Sequence, residues 1–509
     1  MPDTIPPERL KKLELYQSAG VDPFPKRFPN REEARESIAA VISRQVDGET
    51  SPAIIAGRVM SFRDHGNSCF FDLKDQDGRM QVYMQKNRVG ADRYKLLRSA
   101  IDLNDWLGVR GELDKTRKGE VTVFADDVVP LAKSFRPPPA KWEGLQNIEL
   151  RSRRRHVDLT VNDDVRATYR ARSRIISEIR RFLDDRDFME VETPVLHQVA
   201  GGAAARPFLT HHNALDLGLN LRIALELHLK RLLVGGFEGV YEIGRVFRNE
   251  GIDASHNPEF TMIELYWSFV DYEDVMKLWE DLLTHVAMKV KGTTTMTWGE
   301  NEVSFEAPFK RVKYADLLAE YAGVDLDDEA AVRAKCDEAG IHHAGKSHHK
   351  ASHDLFEKYC EGTLIQPTFV IEHPRGISPL AKWSERGSDK TERFELFVGG
   401  VELANAFSEM NDPLEQRHIL EEQVREKDPE NPAEVDEDFL AALEYGMPPA
   451  GGIGMGIDRL VMMMTDSSNI RDVILFPLMR PQTPAEAAED DAELDAEPDA
   501  ADAEPKPQA

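Results

Sequence analysis

The 509-residue sequence has little cysteine and no long apolar run. Its three cysteines, Cys69, Cys336 and Cys360, are far apart and form no CxxC pair, which argues against a disulfide framework and a cysteine zinc site. No stretch approaches the roughly 18 apolar residues of a membrane span, and Met1 to Lys12 lacks the apolar segment of a secretory signal. We therefore expect a cytoplasmic protein of two or three domains.

Basic residues are also in deficit, since 64 Lys and Arg stand against 91 Asp and Glu, for a net charge of −27. Residues 481–509 hold ten acidic residues and one lysine, and their Ala, Asp, Glu and Pro composition predicts a disordered acidic tail. The rest of the chain remains acidic, so a nucleic acid could bind only at a local basic surface. The arginines at 151–155 are either such a surface or a solvated face.

Changes of pattern divide the chain into segments. Apolar residues at helical spacing predict a helical segment at 1–50, and five short strand-like runs predict an OB-type β-barrel at 51–135. A proline-rich start marks a linker at 136–163, and a larger domain of mixed helices and strands follows at 164–480. From the strands alone, a β-domain without a ligand is an equal alternative.

The first strand of one predicted β-hairpin ends at Arg248, and this hairpin carries several polar groups. In its second strand every other residue faces the same way, and that face carries Phe260, Met262, Glu264 and Tyr266. The planar guanidinium of Arg248 suits a phosphate, and the ring of Phe260 suits a nucleotide base. The alternative is an ordinary hairpin with a surface ion pair.

A second hairpin brings two glutamates together. Gly399-Gly400 suits a two-residue turn, and the simple register puts Glu395 and Glu402 on one face. Two neighbouring carboxylates need a partner, and Mg²⁺ with its oxygen ligands is a natural one. The same register puts Asn405 and Phe407 on the opposite face unless a bulge intervenes.

A third segment, Gly451 to Arg459, is a glycine-rich strand that leads into a helix. It lacks the final glycine of a dinucleotide fingerprint, and no GxxxxGK[ST] motif occurs in the sequence. Its glycines let the backbone approach a ligand closely, while Arg459 adds a fixed positive charge.

Together these segments resemble the three motifs of the class II aminoacyl-tRNA synthetases. Phe188 to Pro194 is similar to motif 1, residues 246–261 to motif 2, and Gly454 to Arg459 to motif 3. A barrel before the catalytic domain is typical of the subgroup for aspartate, asparagine and lysine, and the bacterial lysyl-tRNA synthetases are the closest match. The resemblance implies an α+β architecture, an N-terminal OB-type β-barrel followed by a class II antiparallel-sheet catalytic domain with flanking helices.

The resemblance also implies a reaction, its partners and its site residues. ATP and L-lysine would give lysyl-adenylate and pyrophosphate, and lysine would then pass to the 3′-terminal ribose of tRNA(Lys), in a homodimer that uses several Mg²⁺ ions. The residues implied are Arg248 and Arg459 as catalytic phosphate ligands; Glu250, His256 and Phe260 for the nucleotide; Glu226, Glu264, Tyr266, Asn405, Phe407 and Glu409 for lysine; Glu395 and Glu402 for Mg²⁺; and Arg58, Phe70 and Gln81 for the anticodon.

The choice of lysine also follows from charge. A buried ammonium needs acidic partners, and Glu226, Glu264 and Glu409 are available for it. The sequence departs from the common pattern of the family at Leu225, His228, Ser255 and Ala450.

Several alternatives stay open. The five histidines between His342 and His353 could bind a metal. A lysine ligase that modifies a protein such as elongation factor P would share the catalytic domain but not the barrel. A noncatalytic nucleic-acid-binding or regulatory protein would have lost motif arginines or metal glutamates. Within the barrel, Phe70 could face the interior while Phe71 faces out.

Overall fold

The computed structural model of the chain describes residues 5–139, 145–385, 388–426 and 434–495. The chain forms two compact units, residues 1–150 together with 481–509, and residues 151–480. In the part of the chain that the structure describes, no helix is long and apolar enough to cross a membrane.

The first unit is built on a closed five-stranded barrel with the strand order β1-β2-β3-β5-β4. Its elements are α1 (Pro7–Ser18), α2 (Ile38–Ser43), β1 (Ser51–Asp64), β2 (Ser68–Lys74), β3 (Arg79–Gln85), α3 (Lys86–Val89), α4 (Ala91–Ala100), β4 (Trp106–Lys115) and β5 (Val121–Ala132). Side chains along β2 alternate strictly between buried and half-buried, because successive residues of a strand point to opposite faces. Phe71 and Leu73 are therefore in the barrel core, and the predicted OB-type barrel is confirmed.

The second unit contains an eight-stranded sheet with the order β14-β15-β16-β17-β18-β11-β10-β6. Neighbouring strands are antiparallel except for the pairs β14-β15 and β6-β10. The strands of this unit are β6 (Met189–Glu190), β7 (Leu196–His197), β8 (Leu209–His212), β9 (Leu217–Leu221), β10 (Gly239–Phe247), β11 (Glu259–Ser268), β12 (Thr295–Trp298), β13 (Asn301–Ser304), β14 (Lys310–Lys313), β15 (Thr368–Ile371), β16 (Arg393–Val398), β17 (Val401–Ser408) and β18 (Ala450–Gly456).

The second unit also contains helices, which pack in several core clusters. They are α5 (Ile148–Arg153), α6 (Arg155–Val161), α7 (Asp163–Asp184), α8 (Glu226–Val234), α9 (Tyr272–Lys291), α10 (Tyr314–Leu317), α11 (Glu329–Ala339), α12 (His348–Tyr359), α13 (Pro413–Glu426), α14 (Glu437–Glu444), α15 (Ile457–Thr465) and α16 (Ile470–Val473), of which α5 crosses the boundary between the units. α9 shows why they form where they do. Asp271 and Asp274 make a capping box at its start, and Gly292 ends it in the left-handed conformation. Its buried face, which includes Trp279, lies in the main core.

Two segments differ from the sequence-based expectation. Residues 148–161, assigned to the linker, form α5 and α6, while residues 140–144 of that linker lie outside the described residues. Arg155, from the basic stretch, is only 1% exposed; its guanidinium contacts Asp158 at 2.5 Å and donates to the carbonyl of Arg471. A buried, paired arginine of this kind stabilises structure and is not available to a phosphate.

The acidic tail, predicted to be disordered, contains a helix, α17 (Pro484–Asp495). Thr483 and Glu486 exchange backbone and side-chain hydrogen bonds at its start. This capping box and the alanine and glutamate content favour helix formation despite the low hydrophobicity. Residues 496–509 lie outside the described residues.

Candidate active site

A cavity of about 370 Å³ is present in the second unit. Strands β11, β17 and β18, the start of α8 and the loop after β10 line it. All but one of the residues predicted for ATP and lysine lie on its wall, namely Glu226, Arg248, Glu250, His256, Phe260, Glu264, Tyr266, Asn405, Phe407 and Arg459. The exception, Glu409, is buried next to that wall: a Cβ built on the lining residue Gly452 would lie 2.0 Å from its Oε1.

The β10–β11 hairpin sets the order of groups along the cavity. Its register pairs Val246 with Phe260 and Val240 with Tyr266, so the predicted face of β11 does line the cavity. At about 3.3 Å per residue, Phe260 and Glu264 are roughly 13 Å apart along the strand. A cationic region near Phe260 is therefore separated from an acidic region near Glu264.

The acidic region is centred on Glu264, which is 3% exposed. Its Oε1 accepts a hydrogen bond from the backbone of Leu225 at 2.8 Å, and its Oε2 accepts one from the hydroxyl of Tyr266 at 2.8 Å. Burial, helped by repulsion from Glu226, raises the pKa of Glu264 to about 7. The carboxyl group is consequently poised to ionise when a cation enters.

A lysine that the sequence reasoning missed lies within the same region. Lys230 is completely buried, and its ammonium forms ion pairs with both Glu226 and Glu409. Neither oxygen of Glu409 has a hydrogen-bond partner among the described residues, and Oε1, unlike Oε2, has no ion-pair partner either. A buried, unpaired carboxylate oxygen is costly unless a ligand supplies a donor. The only hint in the sequence was the Glu226–Lys230 spacing of four, which on a helix usually marks an exposed pair.

The cationic region holds the two motif arginines. The guanidinium of Arg248 lies 5.2 Å from the centre of the Phe260 ring, so this arginine covers one face of the predicted base platform. Arg459 donates from Nη1 to the carbonyl of Glu402 at 2.6 Å and lies 3.4 Å from Nε2 of His256. The ring of His256 is held in turn by Asp253, 2.9 Å from its Nδ1.

A buried network positions the start of α15, and with it Arg459. The carboxylate of Asp458 accepts a hydrogen bond from the backbone of Thr261 at 2.7 Å and pairs with Arg172 of α7. Arg172 also donates to the hydroxyl of Thr261 at 3.0 Å. Both residues are supports that sequence reasoning did not single out.

A β-bulge corrects the predicted register of the β16–β17 hairpin. Phe397 pairs with Glu402 as expected, but Glu395 pairs with Asn405 and not with Ala404. Leu403 is the extra residue, and one extra residue exchanges the two faces of the strand beyond it. Asn405 and Phe407 therefore line the same cavity as Glu402; the simple register is wrong, and the bulge that would bring these two residues to the site is present.

The two glutamates predicted for Mg²⁺ occupy different environments. Glu402 lines the cavity and is 40% exposed at its side chain, with Arg459 at 3.3 Å. Glu395 is buried, 2.5 Å from Arg393 and 3.9 Å from His373. No three His, Cys, Asp or Glu side chains form a metal-ligand set within the described residues.

The pair nevertheless fits the ion, because Mg²⁺ is usually bound by one or two carboxylates plus substrate phosphates. The local potential is negative: burial and neighbouring carboxylates, including Glu395 and Glu402, raise the pKa of Glu361 to about 7. The donor chemistry, one carboxylate on the cavity wall at Glu402 and a second buried at Glu395, therefore suits a hard cation.

The histidines near residue 350 have other contacts. His343 lies 2.9 Å from Asp337, His349 lies 2.9 Å from Asp389, and His348 is 2.6 Å from the carbonyl of Leu326. Each of these three histidines therefore has its own local partner, and the three do not meet at a common metal centre.

In the barrel, the structure decides which phenylalanine faces out. Phe71 is fully buried, whereas Phe70 is half-buried and stacks on Tyr83, with ring centres 4.3 Å apart. Tyr83 contacts Phe124 edge to face at 5.5 Å, so three rings form a row that the sequence analysis had not identified. The alternative with Phe70 inside is excluded.

Gln81 and Arg58, the other residues predicted for the anticodon, have partners within the barrel. Gln81 donates to Glu120 and accepts from Thr122, both at 2.9 Å. Arg58 lies over the indole of Trp106 at 4.9 Å. By the register of β2 with β1 and β3, Gln81 and Arg58 share the outer face with Phe70, but Arg58 is near the other end of β2.

Comparison with known proteins agrees with this architecture. A family model of class II tRNA synthetases (D, K and N) matches residues 147–480, and a model of the OB-fold nucleic acid binding domain matches residues 53–131. A Lysine–tRNA ligase of Carboxydothermus hydrogenoformans is 50% identical over 480 residues, which cover 93% of this chain and 97% of that protein.

Two further relatives have the same name. The Lysine–tRNA ligase of Enterococcus faecalis is 50% identical over 482 residues, and that of Bacillus subtilis is 47% identical over 481 residues. Each match covers 93% of this chain and 96% of the relative. With this fold, this cavity and these matches, the chain belongs to the class II tRNA synthetases of the D, K and N group.

Proposed function

We propose that the protein is a lysine–tRNA ligase, which joins L-lysine to tRNA(Lys) with ATP. The observation that carries the proposal is the acidic region, where buried carboxylates of Glu226, Glu264 and Glu409 include an oxygen without a donor. An ammonium group satisfies that oxygen. An aspartate substrate would bring a carboxylate to the same acids and would be repelled, and asparagine would bring no charge to them.

The arrangement supports in-line adenylate formation. Arg248 and Arg459 bind the phosphates of ATP, while Glu250, His256 and Phe260 place the nucleotide. With its ammonium at Glu264, lysine is directed so that its carboxylate attacks the α-phosphate and pyrophosphate leaves. The tRNA ribose hydroxyl then attacks the adenylate carbonyl, which forms the ester bond and releases AMP. The chain contributes positioning and charge stabilisation rather than a covalent intermediate.

Glu395 and Glu402 are the residues that we propose to hold Mg²⁺, more than one ion in total. When bound, the ion supplies charge neutralisation at the polyphosphate. Arg393 keeps Glu395 oriented, since its Nη2 lies 2.5 Å from the carboxylate and its Nε donates to Asn405 at 2.9 Å. Arg459 similarly constrains Glu402.

We extend the proposal to a cytoplasmic homodimer. Five apolar residues around β6, β7 and β8 are 40–79% exposed in the single chain, namely Met189, Val195, Leu196, Leu209 and Leu215. Large exposed apolar side chains clustered in one segment are typical of protein interfaces. A second copy of the chain would cover them.

The test of the proposal is pyrophosphate exchange with each of aspartate, asparagine and lysine, followed by tRNA charging. We expect exchange with lysine alone and transfer to tRNA(Lys). Exchange with lysine but transfer to a protein in place of tRNA would favour the protein-ligase alternative, which the matching OB-fold domain disfavours. Absence of exchange with any amino acid would contradict the proposal.

Lysine use is expected to depend on pH through Glu264. Its raised pKa of about 7 means that lysine must displace a proton at lower pH, so kcat/KM for lysine should fall, by up to about tenfold per pH unit, below pH 7. Glu264→Gln should weaken this inflection, leaving the contribution of Glu226 and Glu409, whose pKa values burial also raises, and should cost roughly 10- to 150-fold in lysine use. Exchange kinetics between pH 5.5 and 8.5 measure both effects.

Glu361→Gln is the matched control, because the pKa of Glu361 is also raised to about 7, by burial and by the carboxylates of Glu357, Glu395 and Glu402 rather than by those of the acidic region. That variant should keep the lysine inflection. An inflection of unchanged size and midpoint in Glu264→Gln, together with an unchanged KM for lysine, would remove Glu264 from the lysine site.

Phe70→Ala is expected to leave lysine-dependent exchange intact and to lower kcat/KM for tRNA by about tenfold. Stacking is worth ~1–3 kcal/mol per base, and one face of Phe70 is already covered by Tyr83. Phe71→Ala is the matched control, since it should lower barrel stability by about 3–5 kcal/mol by leaving a cavity. Charging by Phe70→Ala at the wild-type rate would exclude the recognition role.

A further inference from the structure

The ammonium of Lys230 is a buried charge that the proposed mechanism does not use. It emerges from α8 one turn after Glu226 and is completely buried. A buried ammonium is very unfavourable without partners, and here two carboxylates outweigh the cost of burial, so that the pKa of Lys230 is raised. The protein thus places one of its own lysine side chains beside the proposed site for the ammonium of its substrate.

The contacts of Lys230 join two elements that line or adjoin the cavity. Its Nζ pairs with Oε1 of Glu226, at the start of α8, and with Oε2 of Glu409, just after β17. The rings of Phe407 and Phe439 lie 5.4 Å and 6.0 Å from the same nitrogen. The aromatic rings add cation–π attraction and exclude water from the cluster.

The orientation of Glu409 follows from this arrangement. With Oε2 held by Lys230, Oε1 lies next to Gly452 and the ring of Tyr266, which both line the cavity. That oxygen has no hydrogen-bond partner among the described residues. Lys230 therefore uses one oxygen of the carboxylate and leaves the other for a ligand.

From these contacts we infer that Lys230 is a specificity-determining positioning residue for the lysine site, acting through Glu226 and Glu409. It fixes both carboxylates in place and neutralises one negative charge, so that the site accepts one further ammonium group. The inference rests on the proposed function, because it takes lysine as the ligand. Lys230 itself touches neither ATP nor the reacting atoms in this assignment.

The test is pyrophosphate exchange by Lys230→Met, whose unbranched side chain is one atom shorter and carries no charge. We expect the KM for lysine to rise tenfold or more, because the two carboxylates lose their common anchor. The KM for ATP should stay within about twofold, and kcat at saturating lysine within a few-fold. Wild-type exchange with lysine, measured alongside, tests the proposed function separately.

Leu233→Ala is the control for a purely structural role. Leu233 is buried on the same helix but pairs with neither carboxylate. Its loss should reduce the folded, active fraction without changing either KM. If Lys230→Met behaves in the same way, with an unchanged KM for lysine, Lys230 is only a structural ion pair and the inference is overturned.

A double variant keeps the test decisive if Lys230→Met does not fold. Lys230→Met with Glu409→Gln removes one charge of each sign, so the net charge of the cluster is preserved. Because Lys230 acts through Glu226 as well as Glu409, the double variant should still raise the KM for lysine tenfold or more, and comparison with Glu409→Gln alone, which needs no folded Lys230→Met, measures the share that passes through Glu226. A KM for lysine in the double variant at the wild-type value would refute the inference.

Discussion

Arg459→Ala is expected to slow adenylate formation by about 10²- to 10³-fold, the effect of removing a preorganised charge from a reacting phosphate. Arg459 is half-buried on the cavity wall, and its guanidinium is held by the carbonyl and the carboxylate of Glu402. The buried Asp458 and Arg172 pair beneath it keeps the start of α15 in place. A charge held in this way needs no reorganisation when the phosphate arrives, which is why its loss should be severe.

Single-turnover measurement at saturating lysine and ATP gives the chemical rate directly. Arg459→Lys should recover only part of the rate, since an ammonium keeps the charge but loses the planar fork. Arg245→Ala, at an exposed position on β10, serves as the control and should be close to wild type. A loss of less than tenfold in Arg459→Ala would mean that Arg459 does not bind the reacting phosphates.

Gly452→Ala is expected to impair the use of lysine almost as strongly. A methyl group at this position would lie 2.0 Å from Oε1 of Glu409 and 2.6 Å from the ring of Tyr266. Both neighbours are buried, and Glu409 is held by Lys230, so neither can move freely. Overpacking of this kind costs about 3 kcal/mol at the upper end of its usual range, roughly 150-fold in kcat/KM for lysine.

Gly456→Ala in the same strand is the matched control. Its added methyl group would meet nothing closer than 3.7 Å, in the side chain of Arg459. We expect a much smaller effect on lysine use, measured by exchange at limiting lysine together with a melting curve for each variant. Equal kinetic losses in the two variants would contradict the assignment of the wall around Gly452 to the lysine site.

The barrel strands and the faces of two hairpins could be predicted from local patterns, whereas most of the candidate site residues came from the family resemblance. Period-two alternation placed Phe260 and Glu264 on one face of a strand, and the register of β10 with β11 confirms it. The five strand-like runs of the barrel were predicted in the same way, and the closed five-stranded barrel confirms them. Such patterns are readable because they depend on the geometry of a single strand or helix.

Features that depend on contacts between distant segments could not be predicted. The bulge at Leu403 changes which side Asn405 faces, yet no turn or proline marks it in the sequence. The same limit applied to Phe70 and Phe71, since a one-residue shift exchanges inside and outside. Likewise, α5 and α6 form where a linker was expected, because Arg155 finds partners more than 300 residues away.

The sequence by itself determined which residue types are available to this protein, since the arginines, glutamates and glycines of three motifs are those that suit phosphates, a hard cation and an ammonium group. Only the tertiary structure decided which charged side chains pair with one another. Glu226 and Glu409 are far apart in the sequence, and both meet the ammonium of Lys230 only when α8 packs beside β17. Burial then turns an ordinary pair of charges into a strong, oriented interaction, because the surrounding protein, unlike water, screens them little.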